Sequence, residues 1–244
     1  MDNKSALNNK VALITGAGSG IGRAIALRLA ELSADLCLLD SVPEKLDKVK
    51  RNGVQGSGIV DLMPIDLEDI NQIRTIRDYI EQTFPSLDIL VHSAGIIFQD
   101  SIESATLDDF NRQIAVNMVA PYTLTQDLLP LLRASKGQIV FINSSVVGNP
   151  GKGTIQYAAT KHALKGIADG LRSELNQDGI RVLSIYPGRT ATPMQERIFR
   201  AEGREYHPEY LLQPEDIAEI VADALMLPRT AEVTDIQIRP SIKH

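Results

Sequence analysis

From residue 10 almost to its end the chain alternates short apolar runs with longer stretches of helical spacing, an order that few architectures accept. The apolar runs are Lys10 to Thr15, Asp35 to Asp40, Gly58 to Ile65, Asp88 to His92, Gln138 to Asn143, Arg181 to Tyr186 and Val233 to Arg239. Helical spacing fills 20–33, 43–52, 69–83, 106–133, 154–176 and 214–226. A strand that is followed by a helix and then another strand returns in the same direction, so the strands run parallel, with right-handed crossovers and helices on both faces. The expectation is an α/β fold with a seven-stranded, mostly parallel, doubly wound sheet. Thr106-Leu-Asp-Asp109 resembles a capping box, and Pro214 stands where a first helical turn tolerates it. No linker rich in Gly, Pro or Ser interrupts the pattern and no repeat is present, so residues 1–244 read as a single domain.

Charge and composition remove several classes of function. Twenty-five Lys and Arg against 31 Asp and Glu leave a net charge of -6, with no basic surplus for a nucleic-acid backbone. Cys37 is the only cysteine, which rules out an internal disulfide and a cysteine-based zinc site and fits the cytoplasm. The opening Met1-Asp2-Asn3-Lys4-Ser5 has no apolar stretch behind it, and no run approaches a membrane span, so neither export nor a membrane partner is expected. The four histidines, His92, His162, His207 and His244, are scattered and make no case for a metal.

Directly after the first strand comes Thr15-Gly16-Ala17-Gly18-Ser19-Gly20-Ile21-Gly22, running into a helix. Glycines permit a sharp turn and bring bare backbone close to a pyrophosphate, while the helix N-terminus adds partial positive charge. The second strand ends on Asp40, whose carboxylate suits the two ribose hydroxyls of an adenosine and would repel a 2′-phosphate. Neither Ser19 nor Ser41 offers a compensating cation, so NAD is favoured over NADP. Asp66, ending the third strand, is placed either to approach the adenine or to start a turn.

Tyr157 and Lys161 lie four residues apart on helical spacing and share a face. A free phenol, with a pKa of about 10, is a poor base near neutrality, and a neighbouring ammonium would favour its ionised form. Ser144 and Ser145 follow the apolar run Ile139 to Asn143, at a strand end where ligands of such sheets bind, so one hydroxyl is available to a substrate carbonyl. Asn117 stands inside the apolar Ile114-Ala-Val-Asn-Met-Val, where it needs polar partners or marks a kink.

Together the Thr15–Gly22 turn, His92-Ser-Ala94-Gly95, Asn117, Ser144, Tyr157-x-x-x-Lys161 and Pro187-Gly188-x-x-x-Thr192 resemble the short-chain dehydrogenase/reductase family, over about residues 8 to 240. The resemblance implies a Rossmann-like domain in which Tyr157 is the acid/base, Lys161 lowers its pKa and holds the nicotinamide ribose, Ser144 orients the substrate oxygen and Asn117 anchors a water in a proton relay. It places Gly16, Ser19, Gly20, Ile21, Gly22, Asp40, Asp66, Ala94, Gly95, Pro187, Gly188, Thr190 and Thr192 on the cofactor. It implies hydride transfer between NAD(H) and a secondary alcohol or ketone. The alternatives are a 3-oxoacyl-thioester reductase and a non-catalytic NAD(H)-binding scaffold. Homodimers or homotetramers are the implied assembly. Two departures stand out: Ser93 replaces an asparagine usual in the family, and the chain closes on Val233 to Pro240 without a glycine-rich turn, which points to a different C-terminal interface.

In such a protein residues 193–213 form the substrate lid, here rich in Arg and Glu, with Met194, Ile198 and Phe199 on its inward side. Met194 and Arg189 are therefore candidates for touching substrate. Arg189, beside Pro187-Gly188, is placed either to pair with a substrate carboxylate or phosphate or to bridge to acids of the lid.

Overall fold

The computed structural model describes residues 5–53 and 58–241; Met1 to Lys4 and His244 lie outside the described residues. The apolar runs form β1 (Val11–Thr15), β2 (Asp35–Asp40), β3 (Val60–Pro64), β4 (Ile89–His92), β5 (Gln138–Ile142), β6 (Arg181–Pro187) and β7 (Asp235–Ile238). They make one sheet in the order β3-β2-β1-β4-β5-β6-β7, with every pairing parallel. The direction of winding reverses between β1 and β4, where a crevice opens beyond the carboxyl ends of the strands.

The helices are α1 (Gly20–Glu31), α2 (Pro43–Asn52), α3 (Ile70–Thr83), α4 (Leu107–Ile114), α5 (Ala120–Ser135), α6 (Ile155–Leu175), α7 (Pro193–Ala201) and α8 (Pro214–Met226). Strand side chains alternate between two apolar layers, as the pleat requires. Along β1, Ala12 and Ile14 join the layer built by α1, α2 and α8, while Val11 and Leu13 join that of α3, α5 and α6. Each fully buried aliphatic side chain contributes roughly 1.5–3 kcal/mol from its removal from water. Both faces of β1 are buried, so its run is apolar throughout.

Several helix starts follow from their caps. Asp69 accepts the Asn71 N–H and Thr192 the Gln195 N–H, while Gln213 and Asp216 form a capping box ahead of α8. At Thr106 only half a box forms: its oxygen accepts the Asp109 N–H, but its hydroxyl donates to the Asp109 carboxylate.

The continuous helix expected over 106–133 is interrupted. Ala115–Val119 form a π-turn, in which the Ala120 N–H reaches back to the Ala115 carbonyl. Pro121 explains it, because proline has no N–H for the Asn117 carbonyl and its ring crowds that group. A π-turn resolves the clash by widening one turn, and it turns Asn117 inward, where it is fully buried.

Candidate active site

The glycine turn after β1 forms one wall of a cleft of about 580 Å³ at the sheet's switch point. Gly16 adopts φ +67°, and a Cβ there would lie 2.8 Å from the Ala94 Cα. A Cβ on Gly22 would strike the Gly16 carbonyl, so the turn and α1 pack at a distance only glycine permits. Ser19 precedes α1 without capping it through its side chain, which leaves the first-turn N–H groups available to an anion. Ile21, Gly95 and Asp66 also line the cleft. Asp66 has the turn role as well, accepting the Glu68 N–H at 2.9 Å.

Asp40 stands at the rim with its carboxylate fixed from two sides. Its oxygens accept the Gly18 N–H and the Val42 N–H, each at 3.1 Å. Three cations that the sequence reading did not assign also line this cleft: Lys45 from α2, and Arg197 and Arg200 from α7. Lys45 packs against Gly18 close to Asp40, within reach of one extra carbon. The signal for Lys45 was Pro43, which starts α2 three residues beyond Asp40 and turns its first face back to the cleft.

Thr15 supplies the brace between β1 and β4 at Ser93. Its hydroxyl donates to the Val91 carbonyl and accepts the N–H groups of Ser93 and Ala94, both at 3.1 Å. His92 stacks on Phe141 with ring centroids 4.8 Å apart and meets the Thr125 hydroxyl at 2.8 Å. That hydroxyl spends its proton on the Pro121 carbonyl, so His92 Nε2–H is the donor. Burial pushes the imidazole pKa down to about 3, and the ring is neutral.

A second cleft, of about 360 Å³, joins the first at Ile21, Thr192 and Met194 and contains Ser144, Tyr157, Pro187, Gly188, Arg189 and Thr190. Thr192 and Gly20 approach closely enough that a Cβ on Gly20 would touch the threonine methyl at 3.0 Å. Thr190 donates its hydroxyl to the Gly188 carbonyl. Ser144 accepts the Val146 N–H at 3.2 Å, opening a short 3-10 turn beside Tyr157.

Lys161 is buried and donates to the Ile142 carbonyl at 3.0 Å. Its Nζ lies 5.7 Å from the centroid of the Tyr157 ring. The expectation that the ammonium lowers the phenol pKa is not met in the protein alone. Burial penalises both charged forms: the phenol is pushed up to about 12, with partial relief from Ser144, and the amine is pushed down to about 8.

Asn117 ties the neighbourhood together through three hydrogen bonds. Its Oδ1 accepts the Ile96 N–H at 2.9 Å; its Nδ2 donates to the Ile96 carbonyl at 2.9 Å and to the Thr160 hydroxyl at 3.1 Å. Thr160 donates in turn to the Tyr157 carbonyl at 2.8 Å. Thr160 was not identified from sequence; the only signal was a polar residue three positions after Tyr157 on an inward face. A Cβ on Gly95 would lie 3.4 Å from Asn117 Oδ1 and 3.7 Å from Lys161 Nζ, so the missing side chain keeps open the space between them.

A stability test follows from Lys161. Its folded pKa of about 8 lies below the ordinary 10.5, so between those values the unfolded chain holds more protons and stability rises with pH. Below pH 8 the buried ammonium costs roughly 3 kcal/mol, at about 1.4 kcal/mol per pKa unit. Lys161→Met is expected to be the more stable protein at pH 7, with its advantage shrinking towards pH 10. Urea unfolding at the two pH values measures this, and an advantage independent of pH would disprove it.

Within 193–213, Phe199 is buried and Met194 and Ile198 are half-buried, as their inward placement anticipates. Arg189 takes the second of its two expected partners: its guanidinium meets Glu202 at 3.3 Å and lies 4.8 Å from the Phe199 ring centroid. The C-terminal run also lands at the site. Because β7 is parallel to β6, with Pro187 opposite Ile238 and the Gly188 N–H on the Ile238 carbonyl at 2.7 Å, Arg239 and Pro240 lie beside Gly188. Among the described residues no His, Cys, Asp or Glu group could hold a metal ion, and no helix is long and apolar enough to cross a membrane.

Comparison with known proteins places this geometry. Residues 10–203 match the family model described as short chain dehydrogenase. An uncharacterised oxidoreductase of Staphylococcus aureus is 35% identical over 235 residues, which cover 96% of this chain and 98% of the relative. Among solved structures, an alcohol dehydrogenase of Thermococcus sibiricus complexed with 5-hydroxy-NADP superposes with a TM-score of 0.87, at 25% identity, over 96% of this chain and 98% of that one. A 3-ketoacyl-(acyl-carrier-protein) reductase of Brucella melitensis complexed with NADH gives 0.84, at 26% identity, over 96% and 98%.

Proposed function

Since the chain belongs to the short-chain dehydrogenase family, we propose that this oxidoreductase interconverts a secondary alcohol and a ketone with NAD(H), using Tyr157 as the acid/base. The observation that carries the reading is the junction of the two clefts at Thr192: a glycine turn open to a diphosphate meets a pocket holding Ser144 and Tyr157. The glycine backbone, the free first turn of α1 and Asp40 would hold the dinucleotide, and Pro187, Gly188, Thr190 and Thr192 would hold its nicotinamide end. A bound nicotinamide dinucleotide supplies or accepts the hydride. Ser144 would orient the substrate oxygen by a hydrogen bond, and the Tyr157 phenol would deliver a proton to that oxygen in reduction or take it in oxidation. Lys161, with Nζ 5.7 Å from the phenol ring centroid, would hold the nicotinamide ribose, and Asn117 would fix the backbone around Ile96 and Thr160. Turnover of a ketone with NADH that Tyr157→Phe abolishes is the test; tight NADH binding without turnover of any carbonyl would favour the scaffold alternative.

Asp40 supports NAD over NADP, because a carboxylate locked by two backbone N–H groups cannot swing away from a 2′-phosphate. Lys45 favours the opposite choice, because it packs beside Gly18 next to Asp40 at the rim. The carboxylate prevails in this reading, since its position is fixed whereas Lys45 has a flexible stem. Wild type is expected to bind NADH at least tenfold more tightly than NADPH, and Asp40→Ala to lose most of that ratio; equal wild-type dissociation constants would refute the assignment. Cofactor choice does not by itself separate an alcohol dehydrogenase from a 3-oxoacyl-thioester reductase, because the Brucella reductase was solved with NADH.

A further inference from the structure

Beyond the pocket holding Tyr157 a further lobe of about 610 Å³ opens under the lid, sharing Asn149 and Arg189 with that pocket. Three guanidiniums border it: Arg189, Arg204 and Arg239. Arg189 and Arg204 share one carboxylate, Glu202, at 3.3 and 3.0 Å, and both lie over the Phe199 ring, at 4.8 and 4.6 Å from its centroid. The ring and the shared acid hold the two cations in place, so little side-chain freedom remains to be lost on binding a ligand.

Arg239 arrives from the other side. It follows β7 directly and packs beside Gly188 at the end of β6. Among the described residues it has no ion-pair partner. Glu205 is the acid that lines the lobe, and it faces His207 at 3.4 Å, whose other ring nitrogen meets Glu209 at 3.2 Å. Glu202 is shared by Arg189 and Arg204, so Arg239 is the lining arginine without a carboxylate partner among the described residues.

We infer that this lobe takes an oxyanion, carboxylate or phosphate, carried by the substrate at the end remote from the carbonyl, with Arg239 as the cation that pairs with it. Guanidinium forks match both anions in geometry, and the two cavities adjoin, with Asn149 and Arg189 lining both. The inference rests on the oxidoreductase reading and defines its substrate class: an oxo acid, or a phosphorylated ketone, with several bonds between the two groups. It also gives a role to the C-terminal run, which the sequence assigned to an interface.

The test uses pairs of probes that differ only in charge. In the presence of NAD, calorimetric titration compares 5-oxohexanoate and 6-oxoheptanoate with their methyl esters, and dihydroxyacetone phosphate with dihydroxyacetone. Wild type is expected to bind the anion of a pair at least tenfold more tightly, and Arg239→Gln to lose most of that ratio; Arg204→Gln, which leaves Arg189 its carboxylate, is expected to lose part of it. The carboxylate and phosphate arms tell which oxyanion is preferred. Equal binding of acid and ester by the wild type, or a ratio untouched in Arg239→Gln, overturns the inference, whether or not the probes turn over. With NADH in place of NAD, reduction of an ester in preference to its acid, abolished by Tyr157→Phe, would overturn it while leaving the oxidoreductase reading intact.

Discussion

Tyr157→Phe is expected to lower kcat for carbonyl reduction by about 10²- to 10⁴-fold while NADH binding changes little, since a positioned acid/base contributes on that scale. The substitution removes only the hydroxyl in the second cleft, which Ser144 also lines, and the ring remains to fill its place. Burial adds a direction to the effect. With the phenol pKa pushed up to about 12, the group is protonated throughout the neutral range and can donate without prior change, whereas alcohol oxidation needs the proton to leave first. In the wild type, oxidation is therefore expected to climb with pH above neutrality and reduction not to do so. Initial rates in both directions from pH 6 to 10, with Tyr157→Phe alongside, measure this. A mutant retaining more than a tenth of wild-type kcat would remove Tyr157 from the role.

Asn117→Leu is expected to cost about 2–5 kcal/mol of stability, a large loss for one side chain of similar volume. Asn117 is wholly buried, and its amide serves both backbone groups of Ile96 as well as the Thr160 hydroxyl. Leucine satisfies none of them, and each buried polar group left without a partner costs about 1–3 kcal/mol. The damage also reaches the chemistry, because Ile96 follows Gly95 at the cleft and Thr160 is bonded to the Tyr157 carbonyl. Asn117→Asp keeps the acceptor and is expected to retain the Ile96 N–H bond while losing the two donations. Thermal unfolding of both variants orders them, and a Leu variant within 0.5 kcal/mol of wild type, by the usual scale of neutral surface changes, would refute the argument.

Much of this was legible in the sequence for one physical reason: a doubly wound sheet buries both faces of its strands, so apolar runs stand out against amphipathic helices. The glycine turn, Asp40, Ser144, Tyr157 and Lys161 all sit at strand ends or on helical spacing, where periodicity alone assigns position. What escaped was whatever depends on exceptions to periodicity. The break at Ala115–Val119 was half legible: Asn117 was read as needing polar partners or marking a kink, but apolar spacing continues across the segment and Pro121, the cause, passed unread. Arg239 gains its importance from neighbours far away in the chain, and for Thr160 and Lys45 the local signals, an inward polar residue near Tyr157 and Pro43 after Asp40, give a position but not the partners. The pKa values of Tyr157 and Lys161 belong to the same class, since the spacing gives their proximity but not the loss of water around both.

The place of β1 between β2 and β4, inside the sheet, also governs how the protein comes into being. Its two partners lie very differently along the chain: Val11 pairs with Asp35, whereas Ala12 pairs with Ile89. While the protein is being synthesised, β1, β2 and β3 can assemble first, and until His92 has emerged the far side of β1 presents unpaired backbone groups flanked by Leu13 and Ile14. Such an edge accepts any extended apolar segment, including β1 of another nascent copy. A strand that later lies wholly buried is thus open to mispairing at birth, and the arrival of β4 closes that interval while creating the crevice that the glycine turn borders.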